Sequence, residues 1–195
     1  VATHDSALRS PELCDRIAEE RSRHDDVALA HHMLWCLIDD RLPLICSRDQ
    51  VNCDRPRARV RCRLNGKCDR VLVDAPCSGS GTLRRNPDLK WRFSEAELAR
   101  VNEVQHAVLR AAALLVKPGG RVVYATCSLL ERENQGVIEA FLAQHPDFNV
   151  VPAATVLRAQ KIEVGHMARF APYFVMLPHL HATDGFFAAV LERAR

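Results

Sequence analysis

The order of elements along the second half of the chain limits the fold more than any single motif does. Arg70-Val71-Leu72-Val73 reads as a short apolar strand ending at Asp74, and Ser94 to Val116 reads as a helix with Ser94 as cap and Glu97 at the capping-box position. Lys117-Pro118-Gly119-Gly120 stops that helix, and Arg121 to Thr126 follows as a second strand. Leu130 to Gln144 is a second helix, Phe148 to Val151 a third strand and Gly185 to Leu191 a last apolar strand. A chain alternating in this way is expected to be an α/β domain around a parallel, doubly wound sheet, with ligands beyond the carboxyl ends of the strands.

The first third of the chain has a different texture. Residues 1–65 contain no Gly, Lys, Phe or Tyr, yet hold 11 of the 23 Arg and five of the eight Cys. Without glycine this stretch cannot form a glycine-rich ligand loop, which needs positive φ and close backbone approach. Ser10-Pro11-Glu12-Leu13 resembles a helix start, and Asp25 to Asp40 carries an apolar run suited to a second helix. Arg57, Arg59, Arg61 and Arg63 alternate with Ala58, Val60, Cys62 and Leu64 at strand spacing. Such a row can face RNA, line a solvated edge strand, or belong to a stretch never selected to fold. The chain therefore divides into an atypical segment 1–66, out of frame or unstructured, and a domain over 67–195.

Composition narrows the class further. With 48% hydrophobic and 26% charged residues the chain is not of the disordered class, and no apolar run approaches the roughly 18 residues of a spanning helix. Val1 to Ser10 shows no export signal, so a cytoplasmic location and reduced thiols are expected. No cysteine pair has C-x2-C spacing, and no metal site is expected. A formal charge of +3 is too small to argue a nucleic-acid partner by itself, although the bias from Lys to Arg suits phosphate.

Both informative strands run into a cysteine: Cys77 in Asp74-Ala-Pro-Cys-Ser-Gly-Ser-Gly81, and Cys127 in Thr126-Cys-Ser128. If the strands are neighbours, the two thiols face one crevice, where a thiol of lowered pKa is a nucleophile. Arg84, Arg85, Lys90 and Arg92 flank Trp91, offering phosphate contacts and a stacking face; Trp91 could equally cover the helix that starts near Ser94. Asp184-Gly185-Phe186-Phe187 reads as a turn into a supporting strand, and His179 and His181 as RNA contacts or ordinary structural groups.

Taken in order, Asp74-Ala-Pro-Cys-Ser-Gly-Ser-Gly-Thr82, Arg85-Asn-Pro-Asp88 with Trp91, Ala125-Thr-Cys-Ser-Leu129 with Glu133-Asn134, and Thr183-Asp-Gly-Phe-Phe-Ala188 resemble the successive motifs of the RNA (cytosine-5) methyltransferases of the bacterial Sun/Fmu type. The resemblance covers about residues 67–195 and implies the C-terminal part of a Rossmann-like S-adenosylmethionine-dependent methyltransferase sheet. It implies methylation of cytosine C5 in RNA, 16S ribosomal RNA by family. Cys127 then corresponds to the nucleophile that adds to C6, and Cys77 to a second cysteine that assists release. Asp74 corresponds to an acidic residue between cofactor and base, and Pro76 to a carbonyl that meets the cytosine amino group. Arg85, Lys90 and Trp91 would contact the RNA.

Relatives of this type carry an Ala-Pro-Gly-Gly-Lys loop and acidic cofactor ligands upstream, and residues 1–65, having no Gly, cannot supply that loop. Asp39, Asp40, Asp49 and Asp54 match no acidic motif position. A lost first half, an out-of-frame start or a degenerate relative would each explain this, and each predicts weak cofactor binding. An RNA-binding remnant and an unrelated thiol hydrolase using Cys127 with one of the nine His are the alternatives from other classes.

Overall fold

The computed structural model describes residues 44–46, 64–91, 94–162, 164–165 and 167–195. The expected helix start at Ser10, the Asp25 to Asp40 helix, the Arg57 to Arg63 row and Arg92 lie outside these residues.

Among the described residues six strands form one sheet: β1 (Leu44–Cys46), β2 (Cys68–Asp74), β3 (Val116–Thr126), β4 (Phe148–Val151), β5 (Phe174–Met176) and β6 (Phe186–Arg193). They lie in the order β1-β2-β3-β6-β4, with β5 also on β6. Pairing of β1 with β2 and of β2 with β3 is parallel, whereas β6 runs antiparallel to β3, β4 and β5. The sheet is thus mixed, and the expectation of an all-parallel one is corrected at this strand. The physical reason is connection length. β5 ends at Met176, and only residues 177–185 separate it from β6, too few for the crossover that a parallel neighbour requires.

The strand pleat sends alternate residues to two cores. Val71, Val73, Val122, Tyr124, Phe187, Ala189 and Leu191 pack on one face with helix α1 (Glu95–Ala113) and helix α2 (Gln135–Gln144). Leu72, Val123, Ala125, Ala188 and Val190 face the other way, toward β5 and helix α3 (Ala153–Ala159). Helix α1 begins as its sequence indicates: the Ser94 side chain accepts from Glu97 N–H, and the Glu97 carboxylate accepts from Ser94 N–H at 2.9 Å.

The larger departures from the sequence expectations fall at three element boundaries. Helix α1 ends at Ala113 rather than Val116, because Val116 is taken by pairing with Cys68. Lys117 to Gly120 then lie within β3 as an irregularity in its ladder with β2, not as a stop between elements. Helix α2 begins at Gln135 rather than Leu130, preceded by a single 3-10 turn over Glu131–Glu133. Strand β1, in the segment 1–66, matches no expected element; the apolar run of Leu44-Ile45-Cys46 was its only signal.

No helix among the described residues is long and apolar enough to cross a membrane.

Candidate active site

Parallel pairing of β2 with β3, in the register Asp74 to Ala125, brings both strands to the same edge of the sheet. The ladder runs on for one more bond, from Ala75 N–H to the Ala125 carbonyl at 2.9 Å. Beyond it the chains turn, and the Sγ atoms of Cys77 and Cys127 lie 3.4 Å apart, hydrogen-bonding distance for two sulfurs. The expectation that two strand-end thiols share a crevice is met by this register.

The loops carrying the thiols are locked to one another. Gly81 N–H donates to the Cys127 carbonyl at 2.9 Å, and Gly185 N–H donates to the Gly81 carbonyl at 2.8 Å. A Cβ on Gly81 would stand 2.3 Å from the Gly185 carbonyl oxygen and 2.8 Å from that of Cys127, so only glycine permits this approach. Gly79, at φ 71°, supplies the left-handed turn that brings the loop round.

Beneath the thiols lies a buried polar network. Glu133 is 0% exposed. Its Oε1 accepts from Ser78 N–H at 2.8 Å and from Gln105 Nε2 at 3.1 Å, and its Oε2 accepts from the Ser78 hydroxyl at 2.6 Å and from the Ser128 hydroxyl. The adjacent Asn134 accepts from the Thr126 hydroxyl at 2.6 Å and donates to the Ser128 carbonyl at 2.9 Å, bracketing Cys127. The Tyr124 hydroxyl donates to the Glu133 carbonyl at 2.7 Å and fixes the 3-10 turn to β3. These ties explain the late start of α2: residues 133 and 134 are drawn to the Cys127 loop before the helix begins.

The two thiols are shifted in opposite directions by their shared hydrogen bond. The bond donated by Cys77 lowers the pKa of Cys127, against the opposing effects of burial and of the Asp74 and Glu133 charges. The same bond, followed by burial, raises that of Cys77. Cys127 is therefore the more readily ionised of the two.

The other sequence candidates are placed as follows. Asp74 is exposed at the end of β2, with its charge felt at Cys127. The Pro76 carbonyl accepts from Gln105 Nε2 at 2.8 Å, leaving one acceptor position on that oxygen. Trp91 closes the 3-10 turn Pro87–Trp91 and is 81% exposed, so it does not cover α1; that alternative is removed. The Lys90 ammonium stands 4.9 Å from the Trp91 ring centroid. Arg85 is turned toward the Asp184 carboxylate, which it meets through Nε at 2.8 Å, so it braces the loop in addition to any RNA contact. His181 is a structural group, bonded through its ring to Leu177 and Gly165. Among the described residues the side-chain hydrogen-bond partner of Cys127 is Cys77 and not a histidine, which gives the thiol hydrolase alternative no support there. Gln105 was not singled out by sequence, and Ser78 and Ser128 entered only as parts of the cysteine motifs; polar residues spaced along a helix and two loops carry no mark of convergence.

Among the described residues no three His, Cys, Asp or Glu side chains are grouped to hold a metal ion. For S-adenosylmethionine, the exposed Asp74 carboxylate at the parallel strands' carboxyl edge has the chemistry to receive an α-ammonium group.

A mixed α/β sheet with this edge is that of an S-adenosylmethionine-dependent methyltransferase domain, here with two thiols at hydrogen-bonding distance. The solved structure of PH0851 is 40% identical, with a TM-score of 0.58 over 66% of this chain and 27% of that one. NSun6 from Pyrococcus horikoshii, solved with SFG, is 28% identical, with a TM-score of 0.55 over 71% of this chain and 33% of that one. Residues 38–192 match the model of the 16S rRNA methyltransferase RsmB/F family, and the chain belongs to that family. The probable ribosomal RNA small subunit methyltransferase B of Synechocystis is 46% identical over 65% of this chain, and that of Bacillus subtilis 42% identical over 66%. The chain covers 27% and 28% of the lengths of these two relatives.

Proposed function

We propose that this chain carries the catalytic portion, over residues 67–195, of a cytoplasmic RNA (cytosine-5) methyltransferase acting on 16S ribosomal RNA. The observation that carries the reading is the pair of thiols 3.4 Å apart at the carboxyl ends of two neighbouring parallel strands. Membership of the ribosomal RNA methyltransferase family supports the substrate class.

Cys127, as thiolate, adds to C6 of a cytosine drawn out of its stack; the new carbon–sulfur bond makes C5 electron-rich. S-Adenosylmethionine supplies, when bound, an electrophilic methyl group on a sulfonium for C5 to take; a relative solved with its analogue SFG supports that cofactor. Once the Cys127 sulfur is bonded to carbon it carries no negative charge and accepts only weakly, so two of the causes that raise the Cys77 pKa are removed. Cys77, having given its own proton to water, takes the C5 proton as a thiolate, and the Cys127–C6 bond breaks as the ring double bond returns, its electron pair leaving on the Cys127 sulfur. Asp74 holds the methionine ammonium or the base edge. The Pro76 oxygen accepts from the cytosine amino group, while Arg84, Arg85 and Lys90 meet phosphates and Trp91 stacks a base.

The test is incubation with 16S ribosomal RNA containing 5-fluorocytosine, with and without S-adenosylmethionine. The fluorine blocks loss of the C5 substituent, so a cofactor-dependent, denaturation-resistant adduct that vanishes in Cys127→Ala is expected. A folded protein that forms no adduct overturns the activity. A second reading, an RNA-binding remnant without methyl transfer, is favoured by the glycine-free stretch 1–65. RNA retention with no adduct and no calorimetric binding of S-adenosylmethionine selects it.

A further inference from the structure

We infer that Glu133 is the positioning residue of the two-thiol site, holding Cys77 and Cys127 within hydrogen-bonding distance by binding the residue that follows each of them. The inference deepens the function proposed above but rests on geometry that needs neither RNA nor cofactor. One carboxylate, wholly buried, accepts from the main chain and hydroxyl of Ser78 and from the hydroxyl of Ser128. Those two serines are one residue beyond Cys77 and Cys127, and the two hydroxyls also lie 3.3 Å from each other. The loops come from strands whose cysteines are 50 residues apart in sequence, so a shared anchor sets their relative position rather than local chain geometry.

The anchor itself does not slide. Tyr124 holds its main-chain carbonyl, and Gln105 on α1 donates through one amide group to both Glu133 Oε1 and the Pro76 carbonyl. Asn102 in turn donates to Gln105 Oε1 at 3.1 Å, which fixes the orientation of the Gln105 amide. A second consequence follows from the geometry: the carbonyl one residue before Cys77 is aimed by the same network. Burying a carboxylate is costly unless it is fully bonded, and this one receives four donors. The network does more than fill the core, since a leucine would fill the same volume without setting the thiols.

Thiol proximity can be read directly. In a glutathione buffer the pair exchanges with oxidised glutathione to give one Cys77–Cys127 disulfide and two molecules of reduced glutathione, with electrons and protons balanced between the two couples. The equilibrium constant reports the effective concentration of one thiol at the other. The full chain is equilibrated over a series of glutathione ratios, and the bridged 77–127 peptide is quantified by mass spectrometry.

Glu133→Ala is expected to lower that constant by about tenfold or more, and Ser78→Ala with Ser128→Ala to lower it by a smaller factor. Glu133→Gln, which keeps an oxygen for the two N–H donors and an amide for the two hydroxyls, is expected to stay within about threefold of wild type. Tyr124→Phe, which removes one tie on the anchor's main chain but none of the carboxylate's four bonds, should lower Tm and lower the constant by less than Glu133→Ala does. The inference is overturned if the serine double variant, folded by circular dichroism, keeps the wild-type constant, or if Glu133→Gln falls as far as Glu133→Ala. Loss of RNA adduct formation with the thiol equilibrium behaving as stated would overturn the methyltransferase activity and leave the positioning role standing.

Discussion

The guanidinium of Arg85 closes over the carboxylate of Asp184, 99 residues later in the chain, with Nε at 2.8 Å from Oδ2 and one Nη on the same oxygen. Asp184 is 5% exposed, and its Oδ1 is buried with no hydrogen-bond partner among the described residues. The pair ties the loop after Cys77 to the start of β6, beside the close approach of Gly81 and Gly185.

Arg85→Ala leaves that carboxylate without its counter-charge. Because the arginine side chain is 45% exposed, water enters and the loss is about 2 kcal/mol rather than the larger figure of a fully enclosed pair. Thermal unfolding is expected to show Tm lower by about 4–8 °C. Adding Asp184→Ala to Arg85→Ala should return part of the loss, a positive coupling that a double-mutant cycle measures.

The thiols should differ in their response to pH. Cys127 has its pKa lowered by the bond it accepts, so its alkylation by iodoacetamide should reach half-maximal rate below the value of about 8.5 for an ordinary thiol. In Cys77→Ala the donor is gone, while burial and the Asp74 and Glu133 charges remain, all of which oppose the thiolate. The midpoint must then move upward. A midpoint that stays or falls would show that the Cys77 bond does not stabilise the thiolate.

Trp91 offers a clean separation of binding from folding. At 81% exposure it adds little to the core, so Trp91→Ala should leave Tm unchanged. If a base stacks on it, the RNA dissociation constant rises by about 5- to 150-fold, as a stacking loss of about 1–3 kcal/mol requires. Filter binding with unmodified 16S ribosomal RNA reads this directly, and an unchanged constant would remove Trp91 from the interface.

Gly81→Ala tests the lock between the loops. Its methyl would stand 2.3 Å from the Gly185 oxygen, inside any allowed contact, and main chain has to move. A loss of about 1–3 kcal/mol is expected, with iodoacetamide reactivity at Cys127 altered because its carbonyl is one of the atoms displaced. Unfolding by urea together with alkylation rates checks both.

Much of this was legible before folding. The short apolar runs around Val71 to Val73 and Val122 to Tyr124 marked two strands, and the Ser94 to Glu97 spacing marked a helix start, because each depends on neighbours within four residues. The cysteines were legible as strand-end residues for the same reason. The direction of β6 was not, since it is set by a short connection and by partners from three other strands. The departure of residues 131–134 from helix α2 was equally hidden, because the bonds that draw Glu133 and Asn134 away are made to residues of β3 and the loops beyond β2 and β3.

By itself the sequence determined β2, β3, β4 and β6, helices α1 and α2, the four motifs in their order and the glycine-free character of residues 1–65, because periodicity, capping and backbone permissiveness are local properties. Only the tertiary structure decided that the two thiols meet, which of them ionises more readily, and that one buried carboxylate joins the loops on which they stand. Those are distances between atoms remote in the chain, fixed by sheet register and by the low tolerance of a packed interior for an unpaired charge.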